Sequence, residues 1–254
     1  MTPYLEARGI EVSFGGLRAL QDCSFTIDKG RITCLVGPNG AGKTTIFNAI
    51  TGFLKPNDGH VSFKGKSLDG LKPQAIVDLG IARSFQNLRL FADLTAVDNV
   101  MVGLPKLAGE APLGAIFRPL HVARTQKQRR EEALSILAHV GLADRAREFV
   151  RNLSYGEQKL LTIARLLATG AELLLLDEPA SGLSAGALDA VMELMRRLQA
   201  DGKTLLVVEH NTRVVQKIAD DVLFLHQGHL MAQGSPDRII NDPALAEIYF
   251  GGAI

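Results

Sequence analysis

Three short runs in the chain are almost wholly apolar, without alternation: Arg31-Ile32-Thr33-Cys34-Leu35-Val36, Leu173-Leu174-Leu175-Leu176, and Thr204-Leu205-Leu206-Val207-Val208. Runs of this length suit strands of a parallel sheet covered on both faces. Residues 1 to about 30 alternate instead, with Phe25 and Ile27 set among polar neighbours, which predicts antiparallel pairing before Lys29-Gly30 turns into the next strand. Asn57-Asp58-Gly59 predicts a turn ahead of Val61-Ser62-Phe63, and Gln227-Gly228 a hairpin between Asp221–Leu225 and His229–Ala232. Helical spacing marks Ile46–Ile50, Arg129–Val140 (Ala133, Leu134, Leu137, Val140), Glu157–Ala168 and a tail over Pro236–Phe250. Gly141 closes the second of these. Leu104–Val122, rich in Gly, Pro and Ala, reads as an irregular loop with short helical pieces. The pattern predicts one α/β domain over 1–254. Residues 1–87 and 168–254 form its β and α/β core, and 88–167 a helical insertion.

Between the first apolar run and its helix lies Gly37-Pro38-Asn39-Gly40-Ala41-Gly42-Lys43-Thr44-Thr45, which fits G-x-x-x-x-G-K-[ST]. Glycines let several backbone N–H groups converge on one anion, and a helix starting near Gly42 adds the positive end of its dipole. In this setting Lys43 reaches the β- and γ-phosphates of a nucleotide, and the Thr44 hydroxyl is a ligand for Mg2+. The Leu173–Leu176 run ends in Asp177-Glu178-Pro179, at the strand end where open α/β sheets bind ligands. Asp177 is the candidate to hold Mg2+, and Glu178 to orient and deprotonate an attacking water. His210, after Thr204–Val208, falls at the same end. A neutral imidazole there could bond the γ-phosphate or the water, or be structural. Ser154-x-x-Glu157 is a capping box for the helix that follows. A helix N-terminus carrying Ser154 and Gly156 is also an anion site.

Leu153-Ser154-Tyr155-Gly156-Glu157-Gln158 resembles the LSGGQ-type signature of ABC transporter nucleotide-binding subunits, with Tyr155 in place of the usual Gly. The other motifs of that family fall in order along the chain. The resemblance implies a P-loop NTPase with a RecA-like core, an N-terminal antiparallel β subdomain and an inserted α-helical subdomain. It also implies ATP and Mg2+ as ligands, and hydrolysis as the activity. Phe14 matches the aromatic that stacks on adenine. Gln86, in Ser84-Phe85-Gln86-Asn87, matches the Q-loop, which serves the metal and the attacking water, and Glu209-His210 match the switch histidine. Ser181-Gly182-Leu183-Ser184 match the D-loop except that Ser184 stands where Asp is usual. The family works as a head-to-tail dimer, in which Ser154, Gly156 and Glu157 face the nucleotide of a second ATPase subunit, self or paralogue.

Within the family, Gly80–Phe91, the segment Leu104–Arg124, Tyr155 and Ala246–Gly251 are similar to branched-chain amino acid importer ATPases of the LivG type. That similarity implies transmembrane permeases as partners, a solute-binding protein at one remove, and a peripheral position on the cytoplasmic face of the inner membrane. Close relatives serve urea or other amides, or lipopolysaccharide export. ABC ATPases of DNA repair or translation typically carry coiled-coil insertions or two ATPase units, and neither is found here. Leu90 and Phe91 either line a groove for a permease or pack into the helical lobe.

Bulk properties leave this picture intact. The 254 residues are 46% apolar, and 28 Lys plus Arg against 27 Asp plus Glu give a net charge of +1. That balance offers no electrostatic case for nucleic acid. Lys127–Arg130 are followed by Glu131 and Glu132 and read as a solvated helix face. No apolar run approaches the roughly 18 residues of a membrane span, and Met1–Glu11 lacks the apolar stretch of a signal peptide. Cys23 and Cys34 have no metal or redox spacing and read as reduced core residues.

Overall fold

A computed structural model of the chain describes residues 3–105 and 119–250. The elements begin with β1 (Leu5–Phe14), β2 (Leu17–Ile27), β3 (Ile32–Val36), α1 (Lys43–Ile50), β4 (Asp58–Phe63), β5 (Lys66–Ser67), α2 (Pro73–Asp78) and β6 (Ile81–Arg83). Among the described residues α3 (Ala96–Gly103), α4 (Pro119–His139) and α5 (Tyr155–Ala168) come next. Then come β7 (Leu173–Asp177), α6 (Ala185–Ala200), β8 (Thr204–Val208) and α7 (Thr212–Ile218). The chain continues through β9 (Asp221–His226), β10 (His229–Gly234), α8 (Pro236–Ile240) and α9 (Pro243–Phe250). Two compact units result: Met1–Arg83 with Glu172–Gly182 and Met192–Ile254, and Ser84–Ala171 with Leu183–Val191.

The first unit holds both sheets. An antiparallel sheet runs β2-β1-β4-β5, and a second runs β10-β9-β3-β8-β7-β6, parallel except at β10. β3 and β8 are buried at every position, as unbroken apolar runs require. Leu5, Phe25 and Phe63 of one sheet share a core with Phe47 of α1 and Leu173, Leu206 and Leu223 of the other. Glu172, just before β7, ties the sheets at their polar margin. It accepts a hydrogen bond from the Tyr4 hydroxyl at 3.1 Å and pairs with Lys64 at 2.5 Å.

Several expectations shift. Asn57-Asp58-Gly59 does not form a free turn, because Asp58 and Gly59 already belong to β4. Gly59, at φ 78, backs onto Gly9 so closely that a Cβ would lie 2.2 Å from the Gly9 carbonyl oxygen. The turn residues thus mark an irregularity in the ladder between β1 and β4. The tail is two helices, divided where the Asp242 carboxylate accepts from the Ala244 and Leu245 amides. Both cysteines are free and buried.

In the second unit α3, α4 and α5 pack through Val97 and Val100, Ala133 and Leu137, and Leu161 and Ala164, all fully buried. α4 starts ten residues before the predicted Arg129, since the added stretch Pro119–Gln128 shows no helical apolar period. Most of the predicted Leu104–Val122 loop, 106–118, lies outside the described residues, and 119–122 are helical. Arg129 is not simply solvated. Its guanidinium donates to the carbonyls of Met101, Leu104 and Pro105, where α3 ends and its carbonyls need partners. Fully buried Asn99 accepts from the Phe91 amide and donates to the Phe91 and Thr95 carbonyls, fixing the segment before α3.

Candidate nucleotide site

The glycine loop leaves the C-terminal end of β3, between β8 and β9. Gly37 has φ 148, and a Cβ there would sit 2.0 Å from the Leu225 carbonyl oxygen of β9. Gly42 has φ 109, and its Cβ would meet the Ala19 carbonyl at 2.7 Å. Conformation and space therefore both demand glycine at these two positions. The loop closes on itself through Ala41 N–H donating to Pro38 O at 3.2 Å, and Gly228 N–H donates to Ala41 O at 3.0 Å. Gly42 is the N-cap of α1 and supplies no side-chain cap, so the backbone donors of the first turn face the loop.

Lys43 is 7% exposed and donates from Nζ to the carbonyls of Gly37 and Pro38, each at 2.7 Å. Burial pushes its ammonium pKa down, while the charges of Glu178 and Asp177 pull it back up. The same two carboxylates thus reach the cradle electrostatically. Asp177 ends β7 beside β8. Glu178 has φ 48, a left-handed conformation rare for a residue with a side chain. Its amide donates to Val208 O at 3.0 Å. Its Oε1 lies 2.8 Å from His210 Nε2, an imidazole–carboxylate hydrogen bond between the ends of β7 and β8. Buried Glu209 accepts from the Ala180 amide at 2.9 Å.

The described structure thus places the cradle Gly37–Thr45, Asp177, Glu178 and His210 at the ends of neighbouring strands of one unit. Phe14 ends β1 in the same unit and is 52% exposed. Gln86, Ser154, Gly156 and Glu157 belong to the second unit. Gln86 is exposed. Phe91 is 48% exposed beneath the Arg165 guanidinium, 5.4 Å from the ring centre, and Leu90 is half-buried. Sequence reading assigned no role to Arg83 or Asn48, and named Glu209 only as the neighbour of His210. Arg83 had one visible signal, a charge at the end of the short apolar stretch Ile81-Ala82.

The oxygens of Thr44 and Asp177 suit Mg2+, which takes one or two protein ligands and completes its shell with phosphate and water. Among the described residues no group of three or more His, Cys, Asp or Glu could hold a metal ion.

At the start of α5 the capping box is complete. Glu157 N–H donates to Ser154 Oγ at 3.3 Å, and Ser154 N–H donates to Glu157 Oε2 at 2.7 Å. The Ser154 hydroxyl donates to the same oxygen at 2.8 Å, and Arg145 Nε pairs with Oε1 at 2.8 Å. Partial burial pushes the Glu157 carboxyl up, but the Ser154 and Arg145 hydrogen bonds prevail and hold it below the usual carboxylate range. A Cβ on Gly156 would come 2.9 Å from that of Ala187, so this turn packs closely on the start of α6. Ser154→Ala should cost about 1 kcal/mol in urea melts at neutral pH. Because the Glu157 pKa is depressed by folding, its contribution is full above its unfolded value, about 4.3. That contribution is lost as pH falls through the lowered folded value. The deficit should therefore shrink in acid, and an equal deficit at both pH values would detach Glu157 from the cap.

The model of a family described as ABC transporter matches residues 20–181. A high-affinity branched-chain amino acid transport ATP-binding protein, LivG, of Salmonella typhimurium is 36% identical over 252 residues, 99% of each chain. The solved ADP conformation of an ATP-binding cassette of an ABC transporter superposes with a TM-score of 0.85 at 31% identity, covering 99% of this chain and 100% of that one. A dimeric post-hydrolysis cassette bound to ADP and Pi superposes at 0.75 with 25% identity, over 91% of this chain and 98% of that one.

Proposed function

Because the chain belongs to the ABC transporter family, whose activity is ATP hydrolysis, we propose that it is the ATPase subunit of an importer for branched-chain or related amino acids. The end-to-end similarity to a branched-chain amino acid transport ATP-binding protein carries this reading. Among the described residues no helix is long and apolar enough to cross a membrane; in this reading permease subunits supply the membrane path. The chain would dock peripherally on permeases at the cytoplasmic face of the inner membrane. A solute-binding protein would deliver the substrate to those permeases.

Backbone donors at Gly37–Thr45 and the Lys43 ammonium hold the phosphates, and Phe14 stacks on the base. Thr44 and Asp177 would hold Mg2+, which supplies counter-charge for the phosphates when bound. Glu178 takes a proton from the attacking water, and His210 fixes that carboxylate through the 2.8 Å contact. Gln86 is assigned to the ATP site on the family pattern alone. Ser154, Gly156 and Glu157 are offered to the nucleotide of a second ATPase subunit, a copy or a paralogue, in a head-to-tail dimer.

Purifying the tagged chain from its native membranes tests the assignment. Recovery of multi-span permeases is expected, together with loss of leucine, isoleucine and valine uptake when the chain is removed. Recovery of nucleic acid or ribosomes instead would refute a transport role.

A further inference from the structure

The carboxylate proposed for the metal already has a resident cation. Arg83 ends β6, paired in register with Leu175 of β7, and so lies beside the strand that ends at Asp177. One guanidinium nitrogen, Nη2, stands 3.3 Å from Asp177 Oδ2. The other, Nη1, donates to Asn48 Oδ1 at 2.5 Å, and the guanidinium carbon lies 5.2 Å from the centre of the Phe47 ring. The Arg83 and Asp177 side chains are only 5% and 10% exposed. Asn48 is four residues beyond Thr44 in α1, so the two share a helix face. Arg83 therefore bridges the helix bearing the proposed hydroxyl ligand and the strand bearing the proposed carboxylate ligand, within one unit.

Two features separate this pair from an ordinary structural salt bridge. Its Nη2–Oδ2 contact, at 3.3 Å, is long for a charge-assisted hydrogen bond. The guanidinium is also held independently by Asn48 and Phe47, so it keeps its place whether or not Asp177 turns toward another cation. In a setting this dry, a buried carboxylate is costly without a partner. A second cation arriving nearby must then share the same negative charge with the first.

We propose that Arg83 is a counter-cation that competes with Mg2+ for Asp177, stabilising the carboxylate before the metal arrives and lowering the site's affinity for it. The inference rests on the reading of Asp177 as the metal carboxylate. Its functional consequence is that Mg2+ leaves readily with the product, because a partner for Asp177 is already in position.

Equilibrium binding of a fluorescent ADP, titrated with Mg2+ and repeated in EDTA, reads this without turnover. Arg83→Met should lower the half-saturating Mg2+ about ten-fold, as expected for removing a positive charge a few ångströms away in a low-dielectric site. Its ADP affinity in EDTA should be unchanged. Arg83→Lys, which keeps the charge, should stay near the wild-type half-saturation. Should Arg83→Met fail to fold, the near-isosteric Asn48→Asp gives the guanidinium a second carboxylate and should shift the half-saturation in the same direction. Wild-type Mg2+ dependence in both Arg83→Met and Asn48→Asp would overturn the proposal. So would a parallel loss of ADP affinity in EDTA, which marks a purely structural role. Asp177→Asn separates the two levels. If it raises the half-saturating Mg2+ while the Arg83 and Asn48 variants do nothing, only the counter-cation fails. If it changes nothing, the reading of Asp177 fails as well.

Discussion

Glu178→Gln is expected to bind ATP as tightly as the wild type and to hydrolyse it about 10²–10⁴-fold more slowly, the usual contribution of a positioned general base. The carboxylate is held from two sides. The backbone at Glu178 is in a left-handed conformation, φ 48, fixed by its amide bond to Val208, and Oε1 meets His210 Nε2 at 2.8 Å. Glutamine has the same shape and can keep a hydrogen bond to the imidazole, so the turn should survive. What it cannot do is accept a proton from water. The proposed ATP-bound dimer should accumulate because hydrolysis, the step proposed to open it, is blocked. Single-turnover hydrolysis, beside equilibrium ATP binding and sedimentation, separates the two effects. Hydrolysis near the wild-type rate would place the base elsewhere, and lost binding would mean that the substitution had disturbed the cradle.

The second large effect is structural. Gly37→Ala should cost more than about 4 kcal/mol and abolish ATP binding, the class of effect reserved for overpacking against something that cannot move. The obstacle is backbone: the new Cβ would lie 2.0 Å from the Leu225 carbonyl oxygen and 3.0 Å from its carbon, inside β9. Relief requires separating β3 from β9, which are paired through Val36 and Phe224 at this end. Gly40→Ala is the matched control. Its φ is 79, but no atom lies within 4 Å of the added carbon, so only the conformational penalty of about 1 kcal/mol applies. Urea melts and ATP titration of both variants give the comparison. A Gly37→Ala protein with wild-type stability and binding would show that the loop does not pack as described.

Legibility in the sequence followed the range of the forces involved. β3, the loop and α1 could be read directly because strand, glycines and helix are contiguous and each sets its own backbone. β7 and β8 were equally plain, since complete burial leaves an unbroken apolar run. β6 was not, because three residues are too few for any period, and α2 is too short for a stripe. α3 hid for another reason. Its fully buried Asn99 interrupts the apolar face, and only the Phe91 and Thr95 backbone explains why a polar side chain belongs there. Arg83 went unread for the same reason on a larger scale, since its partners Asn48 and Asp177 lie 35 and 94 positions away.

The bond from Ala180 N–H to Glu209 has a consequence for inheritance. Glu178 meets His210 across 32 positions of sequence, and Ala180 meets Glu209 across 29, so each segment supplies what the other lacks. Residues 177–180 and 208–210 therefore form a single module written in two places. A chimera whose donor differs at Glu178, Glu209 or His210 would lose a contact unless both segments are taken together.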